Sequence, residues 1–151
     1  MILTKDYLCS LFTEKDGVLY RKETGQKAGY VNSGYYKVKI KGKAYFAHRI
    51  IFMMYNDYLP QFIDHVDRNP LNNNINNLRA ATRQENNANV SMRKDNTSTV
   101  KGVNFHKNKW NVRISVNGKR KHIGSYNDLE LAELVSIMAR EKYHGNFACH
   151  R

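Results

Sequence analysis

The sequence is short of cysteine, of acidic residues and of long apolar runs, and each shortage narrows what the chain can be. Its 151 residues hold two cysteines, Cys9 and Cys149, near opposite ends. They form no C-x-x-C pair, which argues against a thiolate zinc site, and an intracellular chain keeps such thiols reduced. No apolar run approaches the roughly 18 to 20 residues that a spanning helix needs. The opening segment MILTKDYLCSLFTEKD is too short and too charged for a signal peptide. Together these features lead us to expect a cytoplasmic protein with no membrane partner. Acidic residues number 13 against 25 basic ones, for a net charge of +12. Such an excess points to a polyanionic partner. Hydrophobic residues make up 41%, so the chain can build one ordinary domain or two small ones, each with a modest core.

The first part reads as β structure. Short segments at 17–21, 28–31, 34–40 and 43–46 are separated by glycine turns. Tyr36 to Ile40 alternates apolar and basic residues, as a half-buried strand requires. Ile50, Ile51, Met54 and Tyr58 share helical spacing and predict a helix over about 48–56, which Pro60 stops. A short strand over 63–66 carries Asp64 and His65, and a second strand returns over 75–78 after a polar loop. Thr82 followed by Glu85 predicts a capping box and a helix start. Residues 91–98 read as a linker.

Beyond the linker, segments 103–106, 109–116 and 119–126 predict three strands, with Asn117-Gly118 as the hairpin signal between the last two. Trp110, Val112, Ile114 and Val116 alternate with Asn111, Arg113 and Ser115, giving one packed face and one polar face. A helix over about 128–143 follows. Its expected core side is Leu131, Val135 and Met138 with Ala132, Ala139 and Tyr143. The expected fold class is α+β: a β-rich N-terminal module at residues 1–90, the linker at 91–98, and a three-stranded antiparallel sheet with one packed helix at 99–151.

The most unusual stretch is FIDHVDRNPLNNNINNLRAATRQENNAN, which holds nine asparagines between Phe62 and Asn89. Asparagine favours neither helix nor strand. Its position directly after an Asp-His pair suggests phosphodiester chemistry. That reaction needs a water to lose a proton, phosphate charge to be neutralised, and the parts to be aligned in line. A hard divalent cation takes carboxylate and amide oxygens. An imidazole accepts a proton at neutral pH. Asp64 and His65 are adjacent, so on a regular strand they point to opposite faces. Asn72, Asn73, Asn74 and Asn76 read as loop and turn residues. His48 reads as a packed histidine, and Arg49, Arg79 and Arg83 as phosphate-contacting or solvated cations.

The spaced set Asp64-His65, Asn69, Leu71 to Ile75, Asn77-Leu78-Arg79, Thr82 and Glu85-Asn86 resembles the H-N-H endonuclease family, most closely its phage and intron-encoded homing branch. His48-Arg49 after Tyr45 matches as well, and the likeness covers about residues 15–90. The resemblance implies a ββα-metal module binding one divalent ion, Mg2+ or alternatively Mn2+. It implies His65 as general base, Asp64 and Asn86 as metal ligands, and Asn77 as the residue that ties the loop to the strand. It also implies double-stranded DNA as substrate, 3′-hydroxyl and 5′-phosphate ends, a phage-infected or bacterial cell as the setting, and no organic cofactor. The sequence departs from the pattern in carrying Asn at the third motif position and Asn74 where a basic residue is common.

The segment Lys101-Gly102-Val103, Lys109-Trp110, Asn117 to Arg120 and Ile123 to Tyr126, with the following helix, is similar to plant ethylene-response-factor DNA-binding domains. The resemblance places Lys101, Asn104, His106, Arg113, Ser115, Arg120 and His122 on the DNA-facing side of the sheet. Asn104, Ser115 and His122 stand where arginine is usual, so no target sequence carries over. The combined expectation is a monomeric homing endonuclease with a cutting module and a reading module. Its rivals are a DNA-binding regulator built on an inactive H-N-H scaffold and an RNA-binding protein.

Overall fold

A computed structural model describes residues 3–151. The first two positions of the expected 1–90 module lie outside the described residues. The α+β class is observed, with helices and several small antiparallel sheets. Two compact units divide the chain, one ending at Ala81 and the other running from Thr82 to Arg151.

The first unit opens with helix α1 (Lys5–Leu11), whose N-cap Thr4 accepts from Tyr7 N. Strands β1 (Phe12–Lys15) and β2 (Val18–Arg21) form a hairpin. Strands β3 (Tyr30–Asn32), β4 (Tyr35–Ile40) and β5 (Lys43–Phe46) form a meander with β4 in the centre. The turn residues Asp16-Gly17, Ser33-Gly34 and Lys41-Gly42 all have positive φ. Two consecutive left-handed residues define the hairpin turn whose twist matches its strands, and glycine at the second place lowers its cost. Helix α2 (Ala47–Asn56) ends with Asp57 in the left-handed region, three residues before Pro60. Tyr58 therefore lies beyond the helix, exposed, with its ring edge-on to Phe52. Leu8, Phe12, Leu19, Val38, Ile40, Ile50, Ile51 and Ile63 form the core that joins α1, the two sheets and α2.

Strands β6 (Phe62–His65) and β7 (Leu78–Ala81) complete this unit as an antiparallel pair. The expected return strand over 75–78 is shifted. Ile75–Asn77 is a 3-10 turn capped by the Asn74 side chain, and pairing starts at Leu78. Ile75 and Leu78 flank two asparagines, and the Asn74 cap closes a turn over them before pairing begins.

The second unit starts with α3 (Arg83–Ala88), where the predicted Thr82–Glu85 capping box is present in both directions. Residues 91–98 carry no helix or strand, yet Ser98 is buried and its hydroxyl donates to Val100 O and Val103 O. Strands β8 (Val103–His106), β9 (Lys109–Val116) and β10 (Lys119–Tyr126) form a sheet with β9 central. Their turns, Lys107-Asn108 and Asn117-Gly118, again have positive φ throughout. Helix α4 (Leu129–His144) is capped by Asp128, ends at Gly145 and packs over Val100, Val103 and Val112 through Ala132.

The expected core stripe of α4 is corrected. Leu131 and Met138 are 47% and 59% exposed, whereas Ala132 and Ala139 are buried as expected, together with Ser136 and Arg140. Small residues on the inner side allow close approach to the sheet. Gly102 lies against that side, with a would-be Cβ 3.7 Å from Ser136 Oγ. Ser136 Oγ and Arg140 Nη1 both donate to Lys101 O, at 2.7 and 2.5 Å. Among the described residues, no helix is long and apolar enough to cross a membrane.

Candidate functional site

Asp64 and His65 are the last two residues of β6, and both are nearly buried, at 5% and 8% exposure. As strand alternation requires, they meet different partners. Asp64 pairs across the sheet with Arg79, and His65 with Leu78. The Arg79 guanidinium contacts Asp64 Oδ2 through both Nε and Nη2 at 2.7 Å. Burying a carboxylate without a partner is expensive, so this cation is what permits the position.

The His65 ring meets Asn73, which the sequence reads only as a loop residue, and His48, read there as a packed histidine. His65 Nε2 lies 3.1 Å from Asn73 Oδ1, and Asn73 is only 3% exposed. The His65 ring also packs edge-on against His48, with centroids 5.2 Å apart. His48 stacks in turn on Phe46 and contacts Tyr35. Burial pushes the His48 pKa down to about 4, and His65 and Arg49 push the same way. At neutral pH His48 is therefore an uncharged ring, and it packs beside His65 without adding a positive charge.

The asparagines build the loop that carries Asn73. Asn77 Oδ1 accepts from Asp67 N, while its Nδ2 donates to Asp67 Oδ1 and Asn72 O, at 2.8 to 3.0 Å. Asn77 N donates to Asn74 O, and Val66 N donates to Asn77 O. Asn77 thus fastens the loop through its side chain, at Asp67 and Asn72, and through its backbone, at Val66 and Asn74. Asp67 also accepts from Asn69 N and Asn72 Nδ2. Burial works to raise the Asp67 pKa, but these hydrogen bonds and His65 outweigh it and hold the carboxyl below its usual range. Arg49 donates to Pro60 O and Gln61 O and so secures the segment entering β6.

Asn86 lies on α3 in the second unit, partly buried, with its N–H donating to Thr82 O. Among the described residues, no three His, Cys, Asp or Glu side chains cluster as a metal cage. The donors suited to a cation are instead a carboxylate and amide oxygens. A buried carboxylate that already requires a positive partner fits a hard divalent ion.

Register brings six of the seven predicted DNA-facing residues onto one face of the second sheet, away from α4. Asn104 and Ser125 flank Asn111, His122 lies opposite Arg113, Arg120 lies opposite Ser115, and His106 lies opposite Lys109. Ser125 Oγ donates to Asn111 Oδ1 and lies 3.3 Å from His122 Nε2. A β-bulge between His122 and Gly124 restores this alternation after Ile123. Lys101 is the exception. It precedes the sheet, and its ammonium donates to Ala88 O and Val90 O at the end of α3.

Residues 45–88 match the family model for HNH endonucleases. Protein 3.8 of Escherichia phage T7 is 37% identical over 92 residues, a match spanning 60% of this chain and 75% of that protein. An uncharacterized HNH endonuclease of Acanthamoeba polyphaga mimivirus is 33% identical over 106 residues, 67% of this chain and 54% of that protein. The chain thus matches only about half the length of the mimivirus protein. No solved structure matches. The family match runs from β5 through β6, the asparagine loop and β7 into α3, and that stretch carries an HNH nuclease module.

Proposed function

We propose that this chain is a metal-dependent DNA endonuclease of the homing type, with His65 as general base and Asp64 and Asn86 as ligands of one divalent ion, Mg2+ or Mn2+. The observation that carries the proposal is the end of β6. There a buried carboxylate balanced by a cation adjoins a buried imidazole oriented by an amide. The homing assignment rests on the spacing of Asp64-His65, Asn77 and Asn86 together with the phage relative.

His65 takes the proton of the attacking water. The water oxygen bonds to phosphorus, the bond from phosphorus to the 3′ oxygen breaks, that oxygen takes a proton from solvent, and a 3′-hydroxyl and a 5′-phosphate result. A divalent ion, held by Asp64 and Asn86, would supply neutralisation of the developing negative charge. Asn77 keeps the loop closed, so that the strand end bearing His65 does not fray. Arg79 lies at the same carboxylate and is placed to exchange that contact for a phosphate oxygen.

Residues 1–90 would form the cutting module and 99–151 the DNA-reading module, joined through 91–98. In the second unit Arg113, Arg120 and His122, with Asn104, His106 and Ser115, present donors and positive charge on one polar face. A two- or three-stranded sheet of this kind enters the major groove. Lys101 belongs to that face by resemblance only. A single metal site suggests one nick per monomer.

The test is incubation of supercoiled plasmid with the full chain in magnesium and in chelator, followed by analysis of the DNA ends. Open circles formed only with metal, with 3′-hydroxyl and 5′-phosphate ends, support the proposal. Tight DNA binding without cutting in any divalent metal refutes it.

A further inference from the structure

We infer that Asn73 is a positioning residue for the reaction, fixing the tautomer and the ring plane of His65 so that Nδ1 is the basic nitrogen. This rests on His65 being the general base. An amide oxygen can only accept a hydrogen bond. With Asn73 Oδ1 at 3.1 Å from Nε2, the Nε2 nitrogen carries the proton, and in a neutral imidazole the lone pair then belongs to Nδ1. The water proton is therefore taken at Nδ1, and the resulting imidazolium still donates Nε2–H to Asn73.

The surroundings hold Asn73 in place from both chain directions. Asn72 O is held by Asn77 Nδ2, and Asn74 O by Asn77 N. Asn74 N donates to Asn72 Oδ1, and Asn74 Oδ1 accepts from Asn76 N. Behind the loop, the tip of the β1–β2 hairpin lies against the backbone. A Cβ on Gly17 would come within 2.5 Å of Asn74 N and 2.7 Å of Asn73 C. Gly17 also has φ of +79°, so the hairpin can approach this closely only with glycine there. Asn73 and Gly17 share the wall of a cavity of about 240 Å³ with Lys27 and Tyr36. An amide buried to this degree requires a partner, and His65 supplies one.

The first readout is long-range 1H–15N correlation NMR of the metal-free full chain, with the His65 signals assigned by comparison with His65→Gln. The wild type is expected to show one tautomer, protonated at Nε2. Asn73→Leu keeps the branched outline and the number of side-chain heavy atoms and removes the acceptor, so both tautomers should appear. Asn73→Asp keeps an acceptor and should retain the Nε2–H form. In nicking assays, Asn73→Leu should lower kcat roughly 10- to 100-fold, the range for losing a residue that orients a reacting group, with KM for DNA unchanged.

A wild-type Nδ1–H tautomer would mean that the amide points the other way and would overturn the inference without any variant. So would Asn73→Leu retaining both a single Nε2–H tautomer and the wild-type rate. Cutting that survives His65→Ala would sink the base assignment and with it the role of Asn73 in the reaction. The NMR result separates that failure from a failure of the Asn73–His65 contact itself.

Discussion

Arg79 faces Asp64 across β6 and β7, and its Nε and Nη2 both lie 2.7 Å from the same carboxylate oxygen, Oδ2. The cation holds a nearly buried negative charge at the position proposed for a metal ligand. Removing one member of a fully buried pair costs about 3 to 5 kcal/mol. Arg79 is 21% exposed, which reduces the expected loss for Arg79→Leu to roughly 2 to 3 kcal/mol. Urea denaturation in chelator measures it. Magnesium should then stabilise the variant more than the wild type, because a bound cation replaces the missing charge. Equal stability of the two proteins in chelator would show that the pair is not needed.

The His48 pKa, pushed down from 6.5 to about 4 chiefly by burial, makes stability depend on pH. Between those values the unfolded chain binds a proton that the folded chain does not, so stability falls as pH drops through the window. The full effect, reached near pH 4, is about 3 kcal/mol. The difference in urea midpoint between wild type and His48→Gln, followed from pH 7 to pH 4.5, isolates this contribution. The wild type should fall more steeply. Parallel curves would show that His48 titrates normally.

Asn77→Ala removes hydrogen bonds to Asp67 N, Asp67 Oδ1 and Asn72 O together. The expected loss is roughly 1 to 3 kcal/mol, set by the partly buried groups left unpaired. Hydrogen exchange should speed up at the amides of Val66, Asp67 and Asn77, while the second unit remains protected. Unchanged exchange in the loop would contradict the role given to Asn77.

Arg113 and Arg120 lie on the polar face of the second sheet, whereas the Lys101 ammonium, ahead of that sheet, is bonded to main-chain carbonyls. Arg113→Ala and Arg120→Ala should each weaken DNA binding, and each lost phosphate contact should reduce the salt dependence by a slope of about one. Lys101→Met should instead lower stability, because the Lys101 ammonium caps the carbonyls of Ala88 and Val90. Filter binding across a salt series and thermal melting distinguish the two classes. A Lys101 variant of normal stability with impaired DNA binding would reverse the assignment.

Hairpins were the most legible part of the fold, because Lys41-Gly42 and Asn117-Gly118 announce turns that only left-handed backbone can make. Asp16-Gly17 carries the same signal and could have located β1. The capping box at Thr82 and Glu85 was equally readable, since its chemistry is local. Helix α4 was misread at Leu131 and Met138 because periodicity locates an apolar stripe but not the neighbour that covers it. Here Ala132, Ser136 and Ala139 take the inner side, and larger residues stay outside. At the site, Asp64, His65 and Asn77 stood out by spacing. Asn73 did not, because among adjacent asparagines only the three-dimensional course of the loop determines which amide reaches His65. Arg79 could have been found from the β6–β7 register had the return strand been placed at Leu78 rather than Ile75.

The most direct test compares wild type with His65→Ala on supercoiled DNA in magnesium, at enzyme concentrations that saturate binding. A variant that binds DNA as tightly as the wild type, is equally stable and no longer nicks is the predicted result. A variant that nicks at the wild-type rate and still requires metal would place the base elsewhere and contradict the site built at the end of β6.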